Sequence, residues 1–107
     1  MADDALISLR RLCGGSRDGA LLRVSLANAL FARGDPIAAT AELREALAFD
    51  PDYSAAWKLL GKTLAERNDR EAAIEAYRSG IAAAIRRGDK QAQKEMTVFL
   101  RRIETSR

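Results

Sequence analysis

Residues 57–77 read WKLLGKTLAERNDREAAIEAY, and the reading of this stretch decides the fold. Trp57, Leu60, Gly61 and Leu64 recur at three- and four-residue steps, the spacing of one helix face. After a break, Ala73, Tyr77, Gly80 and Ile81 do the same. The break is Asn68-Asp69-Arg70, a helix stop followed by an N-cap aspartate. Two amphipathic helices joined by so short a connection fold back on each other as an antiparallel hairpin. Small residues such as Gly61 and Ala73 let the two backbones approach at the crossing. Trp57 and Tyr77 fill the space beside them and read as core.

Working outward, the same pattern stands 34 residues earlier. Asp35 precedes Asp69 by that interval, as do Ala39 and Ala73, Leu43 and Tyr77, Leu30 and Leu64, and Leu26 and Leu60. Gly34-Asp35-Pro36 supplies a helix stop, an N-cap and a proline at the first helical position, and Gly88-Asp89-Lys90 repeats the punctuation. Leu22, Leu26, Ala27 and Leu30 form one apolar stripe; Ala39, Leu43, Ala46 and Leu47 form the next. No stretch alternates with period two for long enough to argue a strand. The expected fold is all-α, with helices at about 3–13, 19–33, 36–49, 53–67, 70–87 and 90–105.

Both flanks continue the pattern. A step of 34 back from Ala39, Leu43 and Ala46 lands on Ala5, Leu9 and Leu12, before Gly14-Gly15 ends that helix. Downstream, Ala92, Met96, Phe99, Leu100 and Ile103 make an apolar stripe that keeps register if one extra residue sits within 85–88, with Arg101 and Arg102 solvating one side.

A period of 34 per helix pair, with Trp57, Leu60, Gly61, Ala73 and Tyr77 in one unit and Leu26, Ala27, Leu30, Ala39, Leu43, Ala46 and Pro51 in the other, resembles the tetratricopeptide repeat family. Arg23 departs from the pattern, standing where the family has a large aromatic. The resemblance implies a right-handed solenoid of antiparallel helix hairpins in one domain, residues 1–107. Its units would span 20–53 and 54–87, between an N-terminal capping helix within 1–18 and a C-terminal one within 88–107. The whole chain is similar to small bacterial proteins made of little more than two such units with caps.

Composition fits and excludes. The chain has 107 residues, 48% of them hydrophobic and 31% charged, which is globular stock for one domain. Histidine is absent and Cys13 is the only cysteine, so zinc sites and Cys–His or Ser–His–Asp machinery are excluded. No metal or other cofactor is expected. One thiol makes no internal disulfide and fits a reducing compartment. Cys13 sits near Arg10 and Arg11, which would lower its pKa; the alternative is a small packing residue. The acidic start at Asp3-Asp4 leads into no signal-length apolar run, and nowhere do about 18 apolar residues follow one another. A cytoplasmic protein is expected, with no membrane partner.

Three motifs attract notice and fail. Gly61-Lys62-Thr63 mimics the end of a phosphate-binding loop, but Ala56 stands where that loop needs glycine and the segment lies mid-helix. Arg33-Gly34-Asp35 and Arg87-Gly88-Asp89 spell an adhesion tripeptide, yet each falls at a helix stop and cap. The pairs Glu71 with Glu75 and Glu42 with Glu45 share helix faces, but they fall on second helices with no apolar pocket to shift a pKa. An enzyme is not expected.

The lysines are sorted. Of 18 basic residues only Lys58, Lys62, Lys90 and Lys94 are lysine, in two pairs spaced i,i+4. The family resemblance implies that the first helix of each unit lines a concave surface where partner peptides bind. Carried onto this sequence, that surface would hold Leu21, Val24, Asn28 and Phe31, then Lys58, Lys62 and Glu66, then Lys90, Lys94 and Thr97. Some family members clamp a partner's C-terminal carboxylate; Asn28, Lys90 and Lys94 match such positions, whereas Val24 and Leu59 replace a Lys and an Asn. The expected partner is thus a protein or peptide, acidic or C-terminal, bound beside the apolar strip Leu21–Val24–Phe31. Alternatives stay open: the lysines are merely solvated, the strip is covered by the first helix, or the chain is a small homo-oligomeric structural protein that self-associates through the strip or the last helix. Residues 84–107 carry 7 basic against 3 acidic side chains. Nucleic-acid binding through Arg86, Arg87, Lys90, Lys94, Arg101 and Arg102 is disfavoured, because no aromatic ladder accompanies them.

Overall fold

Six α-helices follow one another: α1 (Ala2–Leu12), α2 (Ala20–Ala32), α3 (Pro36–Phe49), α4 (Ser54–Glu66), α5 (Arg70–Arg87) and α6 (Lys90–Thr105). The computed structural model describes residues 2–106, without the side chains of Ala2 and Asp3, and contains no strand among them. Each helix pairs with the next as an antiparallel hairpin, and α2, α4 and α6 also touch side by side, as successive units of a solenoid do.

Three turns are built alike. The Asp35, Asp69 and Asp89 amides donate to the Leu30, Leu64 and Ala84 carbonyls at 2.9, 3.0 and 2.8 Å. The same aspartate carboxylates cap the next helix by accepting from the amides of Ala38, Ala72 and Ala92. The residue before each aspartate is left-handed: Gly34 at φ 86°, Asn68 at 59° and Gly88 at 69°. Asn68 does this work without glycine because its short polar side chain tolerates that region.

The core runs through the hairpins. Leu26, Leu30, Leu43 and Leu60 are buried among Ala27, Ala39, Ala46, Ala56 and Ala73. Tyr77, Ala84, Ala92 and Met96 continue it towards α6. A Cβ on Gly61 would stand 2.6 Å from the Tyr77 ring, and one on Gly80 would stand 2.6 Å from Trp57 Cβ. Both glycines therefore permit approaches that alanine forbids. The Trp57 indole, half-buried, donates to the Pro51 carbonyl at 2.7 Å, which ties the corner proline to the aromatic of the next helix.

The first helix is rotated from the expected register. On α1 the core-facing residues are Leu6 and Leu9, followed by Cys13 just past its end, and Ala5 is exposed. Seven residues, 13–19, join α1 to α2, where four, 50–53, join α3 to α4, so a strict 34-residue step misplaces the stripe. Arg23 explains the longer corner. Its guanidinium donates to both carboxylate oxygens of Asp18, at 2.9 and 2.8 Å, and to Glu42 on α3 at 2.7 Å. Asp18 also accepts from the Gly14 and Gly19 amides at 2.7 and 2.9 Å. A bidentate polar knot thus replaces the aromatic of the repeat pattern. Cys13 is a packing residue: its thiol lies half-buried against the Leu9 carbonyl, and burial pushes its pKa up despite Arg23 and Arg10.

The expected stripe of α6 does face inward, with Ala92 and Met96 buried and Phe99, Leu100 and Ile103 packed beside them. Its entry differs, since α5 has 18 residues against 14 for α3. The extra turn carries Arg86 and Arg87 to Asp52 and Asp50 in the α3–α4 corner. Ser54 reaches Asp89 at 2.9 Å, so neighbouring corners are laced together.

Gly61→Ala sets the intrinsic helix gain of alanine, about 1 kcal/mol, against overpacking onto a buried ring, about 1–3 kcal/mol. Because Tyr77 is only 3% exposed, its ring has nowhere to swing. Urea unfolding is expected to show a net loss of about 1 kcal/mol or more; unchanged or raised stability would mean the crossing is looser than described.

Corner aspartates also set the acid limit. Hydrogen bonds from Arg23 and from the Gly14 and Gly19 amides hold the Asp18 carboxyl far below its ordinary 3.8. Arg86 lowers Asp52, and the Ala92 amide with Ser54 lowers Asp89. Carboxyls depressed on folding contribute stability that is full above the unfolded value and drains as pH falls through the folded one. Unfolding free energy should therefore fall steadily below about pH 4, and Asp18→Asn should both weaken the protein at pH 7 and flatten that slope. Parallel slopes for the two proteins would show that Asp18 is not so held.

Candidate functional site

The concave side of α2, α4 and α6 encloses an open cavity of about 550 Å³. Val24 and Asn28 line it from α2, Ala55, Lys58, Leu59 and Lys62 from α4, Glu95 and Phe99 from α6, and Tyr77 forms its floor from α5. Among the described residues, helix α1 packs on α2 alone and contributes nothing to the lining. The covering of the strip by the first helix is therefore not found.

The site follows from the hairpin crossing. Gly61 lets the Tyr77 ring lie against α4, and Phe99 packs on Tyr77 with ring centroids 5.8 Å apart. Burial pushes the Tyr77 hydroxyl up to about 12, so the floor is neutral at physiological pH. Arg102 lies over the outer face of Phe99, 5.9 Å from the ring centroid. Lys58 and Lys62, one helical turn apart, stand above this apolar base with different partners. Lys58 Nζ is 3.1 Å from Glu95 Oε1, and both side chains are 39% exposed. Lys62 Nζ sits 5.0 Å over the Phe31 ring, a cation–π contact. Such a cleft can take up an apolar side chain and an anionic group together.

Of the residues expected here, Val24, Asn28, Lys58 and Lys62 line the cavity, and Phe31 joins it through Lys62. Leu21, 69% exposed, lies outside the lining. Lys90 and Lys94 correct the expectation: both are exposed on α6 and neither lines the cavity, nor does Thr97, whose hydroxyl bonds back to the Gln93 carbonyl. With the α6 stripe seated on the core as expected, Phe99 and the nearby Glu95 are the residues that reach the cavity, while Lys90 and Lys94 fall on the exposed side of the helix. Asn28, Lys90 and Lys94 are consequently not gathered into a carboxylate clamp. Glu95 was not legible beforehand, because the 34-residue period that fixes groove positions on α2 and α4 is broken before α6; Phe99 carried a signal as part of the apolar stripe.

The comparisons agree with this architecture. A tetratricopeptide repeat family model matches residues 30–93. The chain belongs to the tetratricopeptide repeat family. It is 42% identical over 99 residues to a TPR repeat-containing protein of Pseudomonas aeruginosa, covering 92% of this chain and 94% of that one. A protein of Bordetella parapertussis with a solution structure is 45% identical at a TM-score of 0.80, over 92% of this chain and 86% of that one. The tetratricopeptide repeat domain protein of Salinibacter ruber is 26% identical at 0.75, over 80% and 97%. Tetratricopeptide domains are general, mostly non-catalytic protein–protein interaction modules, and bind protein or peptide partners. No helix among the described residues is long and apolar enough to cross a membrane.

The Lys58–Glu95 contact is half in solvent, which limits its strength. A double-mutant cycle with Lys58→Ala and Glu95→Ala, read by thermal unfolding, should give a coupling of about 0.2–1 kcal/mol. A coupling above about 2 kcal/mol would mean that the pair is shielded from water far more than its exposure implies.

Proposed function

We propose that the chain is a non-catalytic adaptor that holds an extended peptide segment of a protein partner, acidic or C-terminal, in the groove between α2, α4 and α6. The observation that carries this reading is the open cavity itself: apolar Val24, Leu59 and Phe99 beside the ammonium groups of Lys58 and Lys62. An apolar anchor with a charged rim is the arrangement peptide interfaces use. A cytoplasmic setting belongs to the same reading, since a reducing compartment suits a single half-buried thiol.

The test is a selection of phage-displayed random dodecapeptides on the wild-type protein, followed by amide-shift mapping of the winners. Selected peptides should shift Val24, Asn28, Leu59, Lys62 and Phe99, and Lys58→Glu with Lys62→Glu should weaken them at least tenfold without unfolding the domain. Enrichment of nothing, or shifts confined to the convex helices α3 and α5, would remove the groove from the argument.

A further inference from the structure

The two lysines of the groove are not equivalent. Lys58 already meets Glu95 at 3.1 Å, and its charge also acts on Asp89, whose carboxyl it helps keep ionised. Lys62 has an aromatic face under its ammonium, and among the described residues it makes no ion pair, with Glu66 on the next turn or with any other carboxylate. A ring face attracts a cation without neutralising it. Lys62 is therefore the cation with charge to offer, and Asn28 stands across the same cavity with a side-chain amide able to donate to an anion.

Resting on the groove reading above, we infer that the site takes a peptide with one acidic group, read by Lys62, next to an apolar side chain on Val24, Leu59 and Phe99, and that Glu95 excludes a second acid from Lys58. One helical turn separates the two lysines, about 5–6 Å between Cβ atoms. Two residues of an extended peptide span about 6.6 Å. A peptide with acids two residues apart thus presents both carboxylates in step with both lysines. The second would have to displace Glu95, exchanging one half-exposed ion pair for another and leaving the displaced carboxylate beside it. The exchange gains nothing and adds repulsion. Glu95 works as a built-in competitor that sets the charge of the ligand.

Three acetylated, fluorescein-labelled octapeptides on one scaffold test this by anisotropy: Leu followed by Glu, the same with Gln for Glu, and the first with a second Glu two residues on. Wild-type protein should bind the mono-Glu peptide about tenfold tighter than the Gln peptide, and the di-Glu peptide no tighter than the mono. Lys62→Met should abolish the Glu preference, and the double variant Lys58→Met with Glu95→Gln, which removes the pair as a unit, should retain it. Glu95→Gln should make the di-Glu peptide about tenfold tighter than the mono-Glu one. A di-Glu preference in the wild type, or loss of the Glu preference in the double variant Lys58→Met with Glu95→Gln, overturns the inference and leaves the groove reading standing. Absence of binding by every peptide to both wild type and Glu95→Gln overturns the groove reading as well. So does sedimentation showing a dimer that the peptides fail to dissociate, because the occupant is then a second copy.

Discussion

The contact between the Tyr77 ring and the bare backbone of Gly61 is the constraint on which the rest of the molecule turns. It brings α4 and α5 close enough for one aromatic to serve two surfaces. One edge of Tyr77 closes the core beside Met96, and another forms the floor of the concave cavity. Phe99 rests on it, which seats α6 and turns Glu95 into the groove. A methyl group at Gly61 would push on all of these at once, so packing and site geometry are coupled through a single ring.

Around that crossing the corners are polar. Three Asp-centred turns repeat the same backbone bond and cap, and the longer connections are held by arginines gripping aspartates. These contacts add modest energy individually, because most are half-exposed. Their value is geometric: they set how far one hairpin rotates against the next, and hence how wide the concave side opens. Arg23 shows the principle most plainly, since it substitutes a network of charge-assisted bonds for the volume of an aromatic.

The two central hairpins were legible because periodic burial and turn residues point to the same boundaries, which the helices reproduce within a residue or two. Val24, Asn28, Lys58 and Lys62 were legible for the same reason, being fixed by the 34-residue period. Legibility failed where the period did. The seven-residue corner before α2 rotates α1, exposing Ala5 and burying Leu6. The extended α5 and its tight turn break the period before α6, so groove positions carried over by spacing fall on Lys90 and Lys94, whereas Glu95 and Phe99 line the cavity. A helix rotates by about 100° for each residue of slippage, so a single miscounted turn residue changes which face a whole helix presents.

The orientation of α6 has another effect on its outward side. A stack of helix hairpins is open-ended in principle, since each unit offers the next a face like its own. Here the outward side of the last helix exposes Lys90, Lys94 and Arg101. A further helix laid on that side would strip water from three cations unless it brought carboxylates of its own. The orientation that places Glu95 in the groove thus gives α6 an outer face unlike the apolar faces by which the hairpins stack on one another.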